Sequence, residues 1–305
     1  MRRALAPLAI LLGSALAFEL LPSIYTNHAL LFNLMVYLAL AQGLNLLYGF
    51  TGYLPFGYVG FFGIGAYGAS LLILRGHLPP LLALPLGGCL AALLGLLLFP
   101  LLRLSGAYFS IANLAAARAV YYVISNPDLT PLTQGPYGLT LSSVYNPNQS
   151  YQAMLVILLL ALLATLFFRR SRLGLALLAT REDPLSASFS GIPVGRLRGI
   201  AWLLSAFLAG LIGGAFAWHI SVFYPQTVFD LSISVFAIVF VLFGGAATLL
   251  GPIAGTLLLY GLYNLLGIST PQYFELAYGL LIVLMVLFLP DGLVSLLTRR
   301  GLRVL

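Results

Sequence analysis

Few side chains in this chain could do covalent or proton chemistry, and their spacing narrows the field further. The seven acids are Glu19, Asp128, Glu182, Asp183, Asp230, Glu275 and Asp291, of which only Glu182 and Asp183 are adjacent. His28, His77 and His219 are far apart in sequence, so no shared metal site is expected of them. All fourteen basic residues are arginine. Neither a G-x-x-x-x-G-K-[ST] phosphate loop nor a Schiff-base lysine can therefore be built. Cys89 is the one cysteine and stands in an apolar run, which excludes a disulfide within the chain and points to a buried structural thiol. No cluster of acids, histidines or a paired nucleophile and base falls in one stretch, so no catalytic residue is expected.

What remains is chemistry of passage and of fastening. Gln42 and Asn45 are three apart and share one face of a helix, while Asn113, Arg118 and Asn264 stand in other apolar runs. Uncharged polar side chains in such surroundings either hydrogen-bond between helices or line a path for a solute. An arginine at the centre of a membrane helix costs roughly 2.5 to 3.5 kcal/mol. Arg118 thus needs either a satisfying partner or headgroups within snorkelling reach.

The elements that must hold these residues are membrane spans. Hydrophobic residues make up 61% of the 305 positions and charged residues 7%, against about 25% charged in a soluble domain. Apolar runs of about 20 residues recur with short interruptions, and the arginines lie between them, so the net charge of +7 reads as positive-inside topology and not as a nucleic-acid surface. The fold class is all-α and polytopic, one transmembrane domain over residues 1–305.

Ten spans are predicted. The first covers 4–21 and is expected to be retained, because its apolar run continues past the small-residue site at 15–17 that a signal peptidase would need. The others cover 29–48, 55–74, 80 to about 102, 106–124, 151–168, 199–218, a stretch opening near Leu231, a second after a turn at 248–252, and 273–289. The interval 125–150 contains no basic residue and is expected outside. Arg2, Arg3, Arg103, the loop 169–198 and Arg299, Arg300 and Arg303 then fall inside, with both termini; Arg75 and Arg118 are the exceptions. Ten spans divide into two fives, an odd number that makes any repeat inverted. The glycine-rich third span then corresponds to the eighth, which carries Gly244 and Gly245. Such paired interrupted spans mark a transport path, or glycines that let helices approach closely.

The loop 169–198 is the longest polar interval on the basic side. Residues 173–180 read as a helical continuation of span six. Asp183 is then a good N-cap, Pro184 suits the first helical position, and Gly191 followed by Ile192 and Pro193 is a stop. About two turns lie between, with Leu185, Phe189 and Ile192 on one face. A helix so short is marginal alone and must dock, either on the protein's own helix ends or on another chain.

The segment 172–184, running on to 190–194, resembles the cytoplasmic loop of branched-chain amino acid ABC transporter permeases. Segments 44–53, 61–67, 132–138, 244–252 and 289–293 resemble the same family in the same order, over nearly the whole chain. The resemblance implies a type II-like importer permease in a bacterial inner membrane. It also implies its partners: a second related permease, two ATP-binding-cassette ATPases that hold the ATP and Mg, and an external substrate-binding protein. The short loop helix would be the coupling helix, with Arg181, Glu182, Asp183, Leu185, Phe189 and Ile192 facing the ATPase. The substrate path would involve Gln42, Asn45, Thr51, Tyr53, Tyr58, Asn113, Arg118, Gly244 and Gly245. The chain departs from the family at Tyr53, Pro55 and Tyr58, where Gln, Ser and His are common, and at Arg118, where an acid is common. The expected solutes are branched-chain or other hydrophobic amino acids, with urea, short amides or another small solute as the alternative. A self-contained secondary carrier is the competing class.

Overall fold

The computed structural model describes residues 2–24 and 27–269, together with 279–280, 283 and 293–294. The helices in order are α1 (Arg2–Ile24), α2 (His28–Thr51), α3 (Tyr58–Gly76), α4 (Pro80–Leu97), α5 (Gly106–Ile124), one-turn α6 (Thr130–Thr133), α7 (Pro147–Arg170), α8 (Arg172–Glu182), α9 (Pro184–Phe189), α10 (Val194–Ile220), one-turn α11 (Pro225–Val228), α12 (Leu231–Gly244) and α13 (Leu250–Ser269). Among the described residues seven helical stretches are long and apolar enough to cross a membrane: α2, α3, α4, α5, α7, α10 and α11–α12 together. α1 and α13 occupy the positions of the predicted first and ninth spans. The predicted tenth span, 273–289, and the arginines at 299–303 lie outside the described residues.

α10 is the central element and packs against α2, α3, α4 and α7. Small residues make its closest contacts possible. A Cβ on Gly65 of α3 would stand 2.1 Å from the Gly210 carbonyl of α10, so the two backbones touch where any side chain would force them apart. Trp202 of α10 is fully buried and donates from Nε1 to the Gly95 carbonyl of α4 at 2.7 Å. The bond fastens α10 to α4 from inside the bundle and gives the buried indole N–H its acceptor.

α4 turns its other side outward, exposing Leu82, Leu86, Leu90, Leu93 and Leu97. Cys89 lies on that exposed face, which corrects the expectation of a buried thiol. Lipid tails are as apolar as leucine, so in a membrane protein an apolar sequence neighbourhood does not distinguish the inside of the bundle from its lipid-facing rim.

The two ends of the bundle differ. At one end the interval 125–150 folds into short turns. Its strand β1 (Leu139–Thr140) pairs antiparallel with β2 (Val222–Phe223), Leu139 opposite Phe223 and Thr140 opposite Val222, which ties it to the connection after α10. Arg75 donates to the Pro131 carbonyl in this interval. That contact accounts for an arginine at the end where the charge pattern did not predict one. The opposite end collects Arg103, Arg169, Arg170, Arg172, Arg181, Arg196 and Arg198 with α8 and α9 and is called the basic end below.

Candidate functional site

At the basic end the chain leaves α7 at Ser171, whose extended backbone ends one helix and whose side chain caps the next by accepting from Gly174 N at 3.2 Å. α8 is therefore a new helix and not the continuation of span six that its sequence suggests. The fold-back is tight: a Cβ on Gly174 would lie 1.7 Å from the Phe168 carbonyl.

Asp183 caps α9 as expected, accepting from Leu185 N at 2.9 Å and from the Ser186 hydroxyl at 2.5 Å. These bonds, the Ser186 hydroxyl first, hold its carboxyl below the usual carboxylate range. Gly191, at φ 78°, and a bond from Ile192 N to the Ala187 carbonyl at 3.1 Å close the helix. Ala187 is buried while Leu185 is 71% and Phe189 91% exposed, so the helix seats its small residue on the protein and turns its large apolar side chains away. Glu182 and Asp183 are exposed and Ile192 is half-buried. Leu185 and Phe189, four residues apart, thus form an exposed apolar pair on one side of the capped turn.

Arg181 does not join that outward face. Its guanidinium donates to the Gly49 carbonyl at the end of α2 at 2.6 Å and lies 5.9 Å from the Tyr48 ring centroid. Two arginines with no role predicted for them do the same work. Arg198 donates to the Thr180 carbonyl and the Tyr53 hydroxyl, each at 3.2 Å, with its guanidinium 4.9 Å above the Tyr53 ring. Arg169 donates to the Ala247 carbonyl between α12 and α13. A basic residue near the carbonyl ends of helices is the one local signal that could have found them.

The residues predicted for a path are mostly engaged in fastening the helices. Gln42 and Asn45 are fully buried; Gln42 donates to the Leu249 carbonyl at 2.9 Å, and Asn45 donates to the Thr248 carbonyl at 2.9 Å while accepting from Ala247 N at 2.8 Å. Asn113 accepts from Gly57 N at 2.8 Å and Ser234 from Val59 N at 2.8 Å, satisfying donors at the start of α3 that no helical carbonyl can reach. Tyr58 donates to the Ser205 carbonyl at 3.1 Å, Tyr53 to the Leu102 carbonyl at 3.0 Å and Thr51 to the Leu47 carbonyl at 2.6 Å. Gly244 presses on the start of α13, where its Cβ would stand 1.8 Å from the Gly251 carbonyl, and Gly245 sits at φ 113°. The eight path candidates other than Arg118 are thus buried within the chain's own packing.

Arg118 is different. It is exposed on a stripe of α5 with Tyr108, Ile111, Ala115 and Tyr122, spaced three and four apart so that they share one face. Unlike the leucine rim of α4, this stripe mixes aromatic, small and charged side chains. Arg118 lies twelve residues into α5, or about 18 Å along it, toward the end that carries β1 and β2. At that same end His28 and His219, distant in sequence, line one cleft of about 410 Å³ with Glu19 and Tyr151. The His219 ring stacks on Phe32 at 3.6 Å between centroids, and its Nδ1 is 2.8 Å from Ser150 Oγ.

Residues 27–289 match the family described as "Branched-chain amino acid transport system / permease component". The chain is 31% identical over 302 residues to the high-affinity branched-chain amino acid transport system permease protein LivM of Escherichia coli (strain K12), covering 88% of this chain and 70% of that protein. It is 27% identical over 293 residues to the probable branched-chain amino acid transport permease protein LivH of Methanocaldococcus jannaschii, covering 86% and 88%. To the LivH permease of Salmonella typhimurium it is 24% identical over 283 residues, covering 85% and 91%. No solved structure matches.

Proposed function

The chain belongs to the branched-chain amino acid transport permease family, and on that premise we propose that it is the membrane subunit of an ATP-binding-cassette importer for branched-chain or other hydrophobic amino acids. The observation that carries the reading is α9. A capped two-turn helix at the basic end exposes Leu185 and Phe189, and a chain without lysine cannot supply a phosphate loop of its own. The energy then comes from separate ATPases, which hold ATP and Mg and receive α9 in a cleft. The basic end is the cytoplasmic one, and the membrane is the bacterial inner membrane.

The solute path runs between this chain and a second, related permease. The exposed stripe of α5 supports that placement. A helix face of Tyr108, Ile111, Ala115, Arg118 and Tyr122 suits water, a polar solute or a partner helix better than hydrocarbon, and facing a partner would satisfy Arg118. At the outer end, exposed Tyr137, Tyr145 and Tyr224 offer aromatic contacts of the kind enriched at interfaces to an external substrate-binding protein. ATP binding draws the ATPases together, α9 moves with them, and access to the path changes sides.

Co-expression of the chain with its neighbouring reading frames tests this assignment. Two ATPases and a second permease are expected to copurify in a stable complex. Vesicles containing this chain alone that take up solute without ATP would overturn the importer reading.

A further inference from the structure

The connection between α12 and α13 is the most constrained backbone at the cytoplasmic end. Gly245 sits at φ 113° and Ala247 at φ 61°, and a left-handed alanine persists only where its surroundings over-determine it. Here they do. Asn45 of α2 accepts from Ala247 N at 2.8 Å and donates to the Thr248 carbonyl at 2.9 Å, Gln42 donates to the Leu249 carbonyl at 2.9 Å, and Arg169 of α7 donates to the Ala247 carbonyl. Gly49 lets the loop come this close, since a Cβ there would lie 2.6 Å from Ala247 N. The grip is also incomplete: Gln42 Oε1 is buried with no donor. Backbone strain held in place by side chains is a feature that clusters at ligand clamps and switch regions.

The grip is wired to the coupling segment. Arg169 lies at the end of α7, just before α8, and holds Ala247. Arg181 lies in the last turn of α8, two residues before the cap of α9, and holds the Gly49 carbonyl. Gly49 is four residues from Asn45, on the same face of α2. Two chains of contacts, through Arg169 and through Arg181 with Gly49 and Asn45, therefore connect the ends of α7 and α8 to the 245–249 connection.

We propose that residues 245–249 form a strained cytoplasmic gate segment, and that Asn45, Arg169 and Arg181 are the positioning residues that tie its state to the coupling helix. In the gripped state Ala247 is held left-handed. In the other state the α8–α9 unit has shifted, the grip opens and Ala247 relaxes to negative φ. The inference rests on the importer reading and adds to it the part of the membrane domain that the ATPases move.

The test uses the full complex in proteoliposomes and reads solute taken up per ATP hydrolysed, alongside the amount of assembled complex. Ala247→Gly keeps every backbone contact and removes the left-handed penalty, so it biases the segment toward the gripped state by about fivefold, which is roughly 1 kcal/mol. Uptake is expected to slow by about that factor with assembly unchanged. Asn45→Leu acts in the opposite sense, releasing the segment and lowering solute per ATP while hydrolysis continues. The double variant is expected to recover a good part of the ratio, because glycine adopts φ 61° without the amide's grip. Unchanged uptake for Ala247→Gly, or a double variant no better than Asn45→Leu, overturns the gate. A wild-type complex with no ATP-dependent uptake overturns the importer reading instead, and the gate with it.

Discussion

Replacing Phe189 by alanine removes a ring that is 91% exposed, so the permease itself should not notice the change. Surface substitutions that leave caps and cores intact stay within about 0.5 kcal/mol, and the melting temperature of the purified permease is expected to hold. The cost falls on the complex. Burying a phenylalanine side chain in a cleft is worth about 1.5 to 3 kcal/mol. At 1.4 kcal/mol per decade, a loss of about 2 kcal/mol weakens association roughly thirtyfold. The assay is titration of the purified ATPase subunit onto the permease in nanodiscs, with hydrolysis and uptake followed on the same preparation. Weaker association, with hydrolysis that no longer drives uptake, is the expected result. Unchanged affinity, or a permease that melts markedly earlier on its own, would refute the assignment of Phe189 to a partner's cleft.

Three further outcomes follow from the geometry. Asp183→Ala removes the cap of α9 and is expected to weaken ATPase engagement, while Asp183→Asn, an equally good cap, restores it. The carboxyl of Asp183 is held below its ordinary value, so its contribution is complete above that value, about 3.9, and is lost as pH falls through the lower folded-state value; α9-dependent association should be flat with pH above about 5 and should decline only in stronger acid, a decline the asparagine variant should lack. Arg118→Leu is expected to lower assembly of the permease pair or uptake, measured by copurification and transport; indifference would mean that the side chain simply reaches the headgroups. Gly65→Ala drives a methyl to 2.1 Å from the Gly210 carbonyl, and overpacking of this kind costs about 1 to 3 kcal/mol, visible as a lower melting temperature in detergent.

Much of this architecture can be read from local signals. The fifth span is expected at 106–124 and α5 occupies those residues, because the mainly apolar stretch there is set off by Arg103 before it and by the polar interval that opens at Ser125. The Asp183-Pro184 start and Gly191 stop of α9 are legible for the same reason: caps are chosen by residue type at fixed offsets. The family resemblance carried by 172–184, 44–53 and the other segments agrees with the match over residues 27–289. What the sequence hides is contact across distance. Gln42 and Asn45 read from the sequence either as interhelical hydrogen-bonders or as path-lining residues, and only the folded chain shows their partners, some two hundred positions away, in the backbone of the α12–α13 connection. Arg169 and Arg198 read as positive-inside charges, and only the folded chain shows them holding carbonyls and a tyrosine. The break at Ser171 has no strong sequence signal, because arginine and serine are both compatible with a continuing helix, and the exposure of Cys89 has none because burial in protein and burial in lipid select the same neighbours.

This chain is expected to move solute only when separate ATPases act on it through α9. The most direct measurement is uptake of radiolabelled leucine into proteoliposomes containing the purified permease pair and its external binding protein, with and without the ATPases and ATP. Uptake that requires both, and that Phe189→Ala abolishes while hydrolysis persists, is the predicted result. Uptake that proceeds at the same rate without ATPases or ATP would contradict it.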